Sequence, residues 1–309
     1  MSANGEAIDE AVSAISSVLL GKEQPIRLAV CCLLARGHLL IEDLPGMGKT
    51  TLAHALSRVL GLSCNRVQFT SDLLPADILG VAVYQREDNT FHFHPGPVFT
   101  QVLLADEINR TTPRTQSALL EAMAEGQVSI EGETRPLPDP FFVIATQNPV
   151  EQAGTYALPE SQLDRFLMRI ELGYPDPRAE RELLQRGDLG GAAEALDQVM
   201  SAERLRGIRA QVDTVHASDA LLDYVQRLVA HTRAGGPFSV GLSPRGVLAL
   251  LRAARTWAIM DDRDHVLPED VQAVLAAVIG HRLVPGERFA GDGMALVAQL
   301  QQEVDVLHG

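Results

Sequence analysis

The chain is short of several things, and each shortage narrows what it does. No run is apolar for the roughly 20 residues that a membrane-crossing helix needs, so no membrane insertion is expected. The opening residues MSANGEAIDE are acidic, unlike a signal peptide, and a cytoplasmic location is expected. Cysteine is scarce. Of three, Cys31 and Cys32 adjoin inside an apolar segment and Cys64 stands apart. No second pair completes a zinc set, so buried structural thiols are expected. Positive charge is in deficit: 26 Lys and Arg against 40 Asp and Glu leave a net charge of −14. Phosphate backbones need clustered Lys and Arg, so a surface devoted to nucleic acid is disfavoured, although a few arginines could line a channel in an oligomer. The balance favours a protein partner or a small ligand. No internal repeat or low-complexity tract is present.

What remains is an ordinary globular composition, 46% hydrophobic and 21% charged, in 309 residues, more than one domain usually holds. The most informative stretch is Ile41-Glu42-Asp43-Leu44-Pro45-Gly46-Met47-Gly48-Lys49-Thr50-Thr51. An apolar run (Leu39, Leu40, Ile41) enters a Gly- and Pro-containing turn. A helix follows, marked by Leu52, Ala53, Leu56, Val59 and Leu60 and stopped by Gly61. Strand, turn and helix is the setting of a phosphate-binding loop. Backbone N–H groups and the helix N-terminus face the anion, Lys49 adds a mobile positive charge, and the Thr50 hydroxyl can ligate Mg²⁺. The usual pattern has Gly where this chain has Asp43.

Apolar spacing predicts helices over 8–20, ending at Gly21, and over 25–36, the second apolar on most sides and therefore buried. Residues 65–70 alternate as a strand, Val67 and Phe69 against Arg66 and Gln68. Residues 72–99 are irregular, with 81–84 and 90–94 reading as two arms of a hairpin. His92 and His94 share a side of that strand, but no third ligand is nearby and they read as solvent-facing. Apolar runs at 101–105 and 141–145 read as buried parallel strands, the first ending in Asp106-Glu107 and the second in Thr146-Gln147-Asn148-Pro149. A helix opens at Thr112-Pro113, a small hairpin covers 127–136, and a last strand covers 166–170. Alternating strands and helices imply a parallel sheet covered on both faces. After Pro175 strand signals end, and 187–191 looks like a linker. The domains are placed at 1–189, an α/β core, and 190–309, a smaller helical domain.

Given a phosphate loop upstream, Asp106 is suited to hold Mg²⁺ through its water shell, and Glu107 to orient and polarise the water that attacks the γ-phosphate. Asn148, at the tip of the next buried strand, can hydrogen-bond that water or the γ-phosphate. Charge on the departing phosphoryl group calls for arginine, whose planar fork is always charged. Arg165 precedes the last strand and Arg245 follows Ser243-Pro244, which open a helix. Spacing leaves open which phosphate either reaches, and whose.

The ordered set Glu42 to Thr50, Leu104-Ala105-Asp106-Glu107-Ile108-Asn109-Arg110, Ala145 to Pro149, Leu158 to Phe166 and Ser243-Pro244-Arg245 resembles the MoxR-type AAA+ ATPases over nearly the whole chain. That family typically carries Glu-Asp in place of the first loop glycine, which accounts for Asp43. The resemblance implies a P-loop AAA+ core, with a parallel five-stranded sheet between helices, followed by a smaller all-helical lid. It implies that Gly46, Gly48, Lys49 and Thr50 form Walker A, Asp106 and Glu107 Walker B, Asn148 the first sensor and Arg245 the second, reading nucleotide state from the lid. Arg165 is similar to the arginine finger lent to a neighbouring subunit. Pro45, Met47, Thr51 and Gly21 complete the expected ATP contacts, with Thr50 and Asp106 at Mg²⁺. Residues 72–99 resemble the family's helix-2 insertion and 127–136 its pre-sensor hairpin, both lining the face or pore of a ring. Family members form hexamers, work with von Willebrand factor A domain proteins, and mature or activate protein complexes, sometimes by metal-cofactor insertion. MgATP is expected between core and lid, with no spare arginine in cis, so that a neighbour supplies charge.

Two rivals belong to other classes. A nucleic-acid motor or transcription regulator is opposed by the charge and by the lack of a helix-turn-helix or zinc module. An ATP-gated scaffold with incidental turnover would assemble with ATP and work without hydrolysis. A small-molecule kinase would leave both arginines and both hairpins without a job.

Overall fold

The structure is a computed structural model that describes residues 3–87, 89–148, 155–187, 191–286 and 289–306. Pro149 and the expected boundary at 189 lie outside the described residues. Two helices lead, α1 (Ala3–Val18) and α2 (Glu23–Leu34), followed by β1 (Leu39–Glu42), α3 (Lys49–Val59) and β2 (Cys64–Gln68). A short α4 (Pro75–Leu79) opens onto a hairpin, β3 (Gly80–Gln85) and β4 (Thr90–Pro95). Then come β5 (Val102–Asp106), α5 (Pro113–Glu125), a second hairpin of β6 (Gln127–Ile130) and β7 (Glu133–Pro136), and β8 (Phe142–Gln147). α6 (Glu160–Leu163), β9 (Met168–Ile170) and α7 (Pro177–Arg186) close this half.

Five strands form one parallel sheet in the order β2-β5-β8-β1-β9. Side chains alternate between its faces. Leu40, Leu103 and Val143 pack with Leu119 and Leu120 of α5. Leu39, Ile41, Leu104 and Ile144 pack with α1, α2 and α3 on the other face. Each such side chain contributes about 1.5–3 kcal/mol on burial. Because every strand runs the same way, all carboxyl ends share one edge of the sheet and all amino ends the other. Ligands of open α/β sheets bind at the carboxyl edge.

The remaining chain forms α8 (Ala202–Val212), α9 (Asp219–Arg233), β10 (Phe238–Val240), α10 (Pro244–Met260), α11 (Pro268–Ile279), β11 (Val284–Pro285) and α12 (Gly293–Glu303). It is the helical lid, with two additions: β10 and β11 pair antiparallel, and residues 216 and 265 form an isolated bridge. Strands of three and two residues are too short to show alternation. α10 packs on α1 and α2, and α11 on β9, so lid and sheet share one apolar core. The β3–β4 hairpin leaves Val81, Val83, Tyr84 and Phe91 exposed. His92 and His94 are exposed too, and no group of three metal-ligating side chains occurs among the described residues.

Candidate nucleotide site

The loop after β1 turns at two left-handed glycines, Gly46 (φ 85°) and Gly48 (φ 95°). Gly48 caps α3, and a Cβ there would come within 2.6 Å of Leu19. The first N–H groups of α3 therefore open onto the loop. Asp43 ties the loop down: its carboxylate accepts from Leu44 N (2.8 Å), and from Leu172 N (2.8 Å) and Gly173 N (2.7 Å) just beyond β9. The departure from the usual glycine is thus a clamp between two strand exits. Lys49 is buried and donates from Nζ to the carbonyls of Asp43 (2.7 Å) and Leu44 (3.1 Å). Burial lowers its pKa, while Asp43, Asp106 and Glu107 pull it up.

Asp106 and Glu107 leave the end of β5. The fully buried Thr146 of β8 donates from Oγ1 to Asp106 Oδ1 (2.6 Å) and accepts from Glu107 N (2.8 Å). Glu107 has a left-handed backbone (φ 56°), uncommon for a side-chain-bearing residue and typical of a functional position. Its Oε1 accepts from Asn148 Nδ2 (3.0 Å), and its Oε2 from Gln68 Nε2 (2.8 Å) and Arg110 Nη1 (2.9 Å). Arg66 Nη2 meets Asp106 Oδ2 at 2.7 Å. Both arginines at this edge are thus spent on the site's own carboxylates. Arg66 and Gln68 were missed as site residues; their shared parity along β2 puts both on one face, and the pairing of β2 with β5 brings that face to the carboxylates.

A cavity of about 400 Å³ lies over Lys49, Thr50, Asp106, Glu107 and Asn148, with Pro45 at its rim. A second, of about 540 Å³, is walled by Leu19, Leu20, Lys22, Met47, His54 and Leu183. Gly46, Gly48, Thr50 and Thr51 border both, so these are two ends of one cleft. A charged end with a buried lysine and an end walled by apolar side chains suit the phosphates and the base of a nucleotide. The Thr50 hydroxyl and the Asp106 carboxylate are the hard oxygen donors that Mg²⁺ takes. Gly21 does not line the cleft. It turns the chain (φ 70°) between Leu20 and Lys22, which do, and a Cβ there would meet Ala179 of α7 at 2.8 Å.

Arg165 and Arg245 lie elsewhere. They border a separate cavity of about 530 Å³ together with His38, Asp164, Arg252 and Arg282. His38 immediately precedes β1, and Leu167, also on this wall, precedes β9. This is the amino edge of the sheet, about 13 Å from the carboxyl edge at 3.3 Å per residue over the four residues of β1. Arg165 Nη1 donates to Leu120 O (2.9 Å), and Arg245 Nη1 lies 4.0 Å from Asp164 Oδ2. Within one chain, Arg245 thus stands apart from the cleft that holds Lys49. The cleft does border the C-terminal region, at Gly191, Ala193 and Glu194, but Arg245, expected to read the nucleotide from the lid, does not reach it within its own chain.

Residues 38–168 match the family described as "ATPase family associated with various cellular activities (AAA)", and 230–303 match "AAA lid domain". YeaC of Bacillus subtilis, an uncharacterized protein, is 43% identical over 302 residues, 97% of this chain and 94% of its own. The chaperone MoxR1 of Mycobacterium tuberculosis is 40% identical, over 92% of this chain and 77% of its own. A crystal structure from Cytophaga hutchinsonii, described as that of a proposed ATPase, superposes with a TM-score of 0.88 at 35% identity, covering 98% of this chain and 95% of that one. With the strand order and the ordered motifs, these likenesses show that the chain belongs to the MoxR-type AAA+ ATPases.

Proposed function

We propose that this chain hydrolyses ATP, with Mg²⁺, at sites shared between neighbouring copies in a hexameric ring, and that the cycle remodels or activates a partner protein complex. The observation that carries this reading is the division of the chemistry between two edges of one sheet. Lys49, Thr50, Asp106, Glu107 and Asn148 stand at the carboxyl edge, Arg165 and Arg245 at the amino edge. Head-to-tail contact brings one copy's arginines to the next copy's phosphates, and such contacts close into rings.

In each site Lys49 leaves its two carbonyls for the phosphate oxygens. Glu107 orients the attacking water once Gln68 and Arg110 release it, and Asn148 keeps that carboxylate aimed. Thr50 and Asp106 would hold Mg²⁺, which when bound would neutralise charge on the phosphates. The arginines of the neighbour stabilise the departing phosphoryl group. Hydrolysis then shifts the lid (190–309) against the core (1–189).

The exposed apolar residues of the β3–β4 hairpin are suited to gripping a client, and a relative named as a chaperone supports that use. The net charge of −14 favours a protein client over nucleic acid. A von Willebrand factor A domain protein is the expected co-worker, and metal-cofactor insertion is one form the activation could take. The test mixes Arg165→Ala copies, which keep the phosphate loop, with Lys49→Ala copies, which keep the arginines. Each alone is inactive, and mixed rings recover part of the ATPase rate. Mixed rings without recovered activity would overturn the shared site.

A further inference from the structure

Behind the two arginines of the amino edge lies a third that neither the motifs nor the proposed cycle uses. Arg282 follows α11, is only 5% exposed, and has all five of its N–H donors engaged. Nε donates to Asp164 Oδ1 (2.7 Å), and Nη2 to Asp164 O (3.3 Å) and Phe166 O (2.7 Å). Nη1 donates to Leu167 O (3.1 Å) and back to Val278 O on α11. Four of the five bonds thus grip residues 164–167, the segment that carries Arg165. His281 adds a fifth hold on that segment, donating from Nε2 to Phe166 O (3.1 Å).

Arg282 reaches Arg245 as well, by two routes. The other oxygen of Asp164 faces Arg245 Nη1 at 4.0 Å. The stem of Arg282 runs under Gly246, where a Cβ would approach its Cδ to 3.2 Å. One buried side chain therefore joins the core segment that bears Arg165 to the helix start that bears Arg245.

We propose that Arg282 is the positioning residue that makes Arg165 and Arg245 a single two-armed receptor for the phosphates of a neighbouring copy's nucleotide. This deepens the shared-site reading and rests on it. A buried guanidinium is costly unless fully partnered, and a lysine cannot serve five acceptors from one plane. If Arg282 acted only as a rivet between lid and core, its loss would harm both edges of the molecule alike. As a positioning residue it harms only the copy that donates arginines.

The experiment exploits that asymmetry, using Arg282→Lys, with Arg282→Ala beside it, and ATPase rates of mixed rings. Arg165→Ala copies are mixed with Lys49→Ala copies to set the recovered rate. Arg282→Lys is then placed either in the Lys49→Ala copy, the arginine donor, or in the Arg165→Ala copy, the phosphate-loop donor. The expected result is a recovered rate lower by roughly 100-fold in the first arrangement, the cost of an ångström-scale misplacement, and unchanged in the second. The affinity of Arg282→Lys for a fluorescent ATP analogue stays that of the unmodified chain. Equal loss in both arrangements, or loss in neither, overturns the proposal while leaving the shared site standing. Failure of the parent mixture to recover any rate overturns the shared site itself, and this inference with it.

Discussion

The two edges of the sheet solve opposite problems. At the carboxyl edge the groups are preset by short bonds within a single half of the chain. Lys49 rests on two carbonyls, Thr146 bridges Asp106 and Glu107, and Asp43 clamps the loop to the exit of β9. At the amino edge the groups come from residues 164–165, 245 and 282, and Arg245 is 63% exposed. On the proposed reading, the difference means that one copy binds a nucleotide at its carboxyl edge while the arginines it lends, Arg165 and Arg245, face away from that site. Glu107→Gln should separate these roles most sharply. Turnover is expected to fall roughly 10²- to 10⁴-fold, the usual contribution of a positioned base. ATP affinity, read by a fluorescent analogue, is expected to hold, and Glu107→Gln copies should still activate Arg165→Ala neighbours. Normal turnover would remove Glu107 from the role of base.

Sequence made the carboxyl edge legible because its chemistry is local. The phosphate loop is one contiguous stretch, and Asp106, Glu107 and Asn148 stand at the ends of buried apolar runs whose parallel pairing puts them side by side. The sheet and its order of elements were readable for the same reason. What escaped depends on contacts between distant segments. Arg66 and Gln68 were assigned to a strand, but only the pairing of β2 with β5 aims them at the carboxylates. Arg165 and Arg245 were found by motif, and the spacing left their target open. The edge they occupy follows from where β1 and β9 begin in space. Arg282 has no motif, and all of its five bonds but the one to Val278 join residues more than a hundred positions apart.

Lys49→Ala sharpens the comparison from the binding side. Removing a charge-assisted hydrogen bond of about 1.5–3 kcal/mol should weaken ATP roughly 10- to 100-fold. The amino edge should be untouched, so the same copies remain competent arginine donors in mixed rings. Titration of a fluorescent ATP analogue measures the first, and the mixed-ring rate the second. Wild-type affinity in Lys49→Ala would mean that the loop and the helix N-terminus hold the phosphates without the lysine's charge.

The smallest expected effect probes the amino edge alone, through His38. Its Nδ1 accepts from Val143 N (3.0 Å) and its Nε2 donates to Met123 O (3.2 Å), so the neutral ring is the bonded form. Burial, opposed by the bond to Met123 and aided by Arg209, lowers its pKa to about 4. An unfolded histidine titrates near 6.5, so below that pH the unfolded chain binds the extra proton first. The contribution of His38 is therefore complete above about pH 6.5 and is lost as pH falls towards 4. Between pH 7 and 5.5 the loss is about 1 kcal/mol. Urea unfolding at both pH values, compared with His38→Asn, isolates it as a difference in slope rather than in absolute stability. Hydrogen exchange should show the amide of Val143 loosening on acidification while the amides of Leu172 and Gly173, held by Asp43, do not. Loosening of both together would mean that acid acts on the whole sheet, and that its two edges are less independent than their hydrogen bonds indicate.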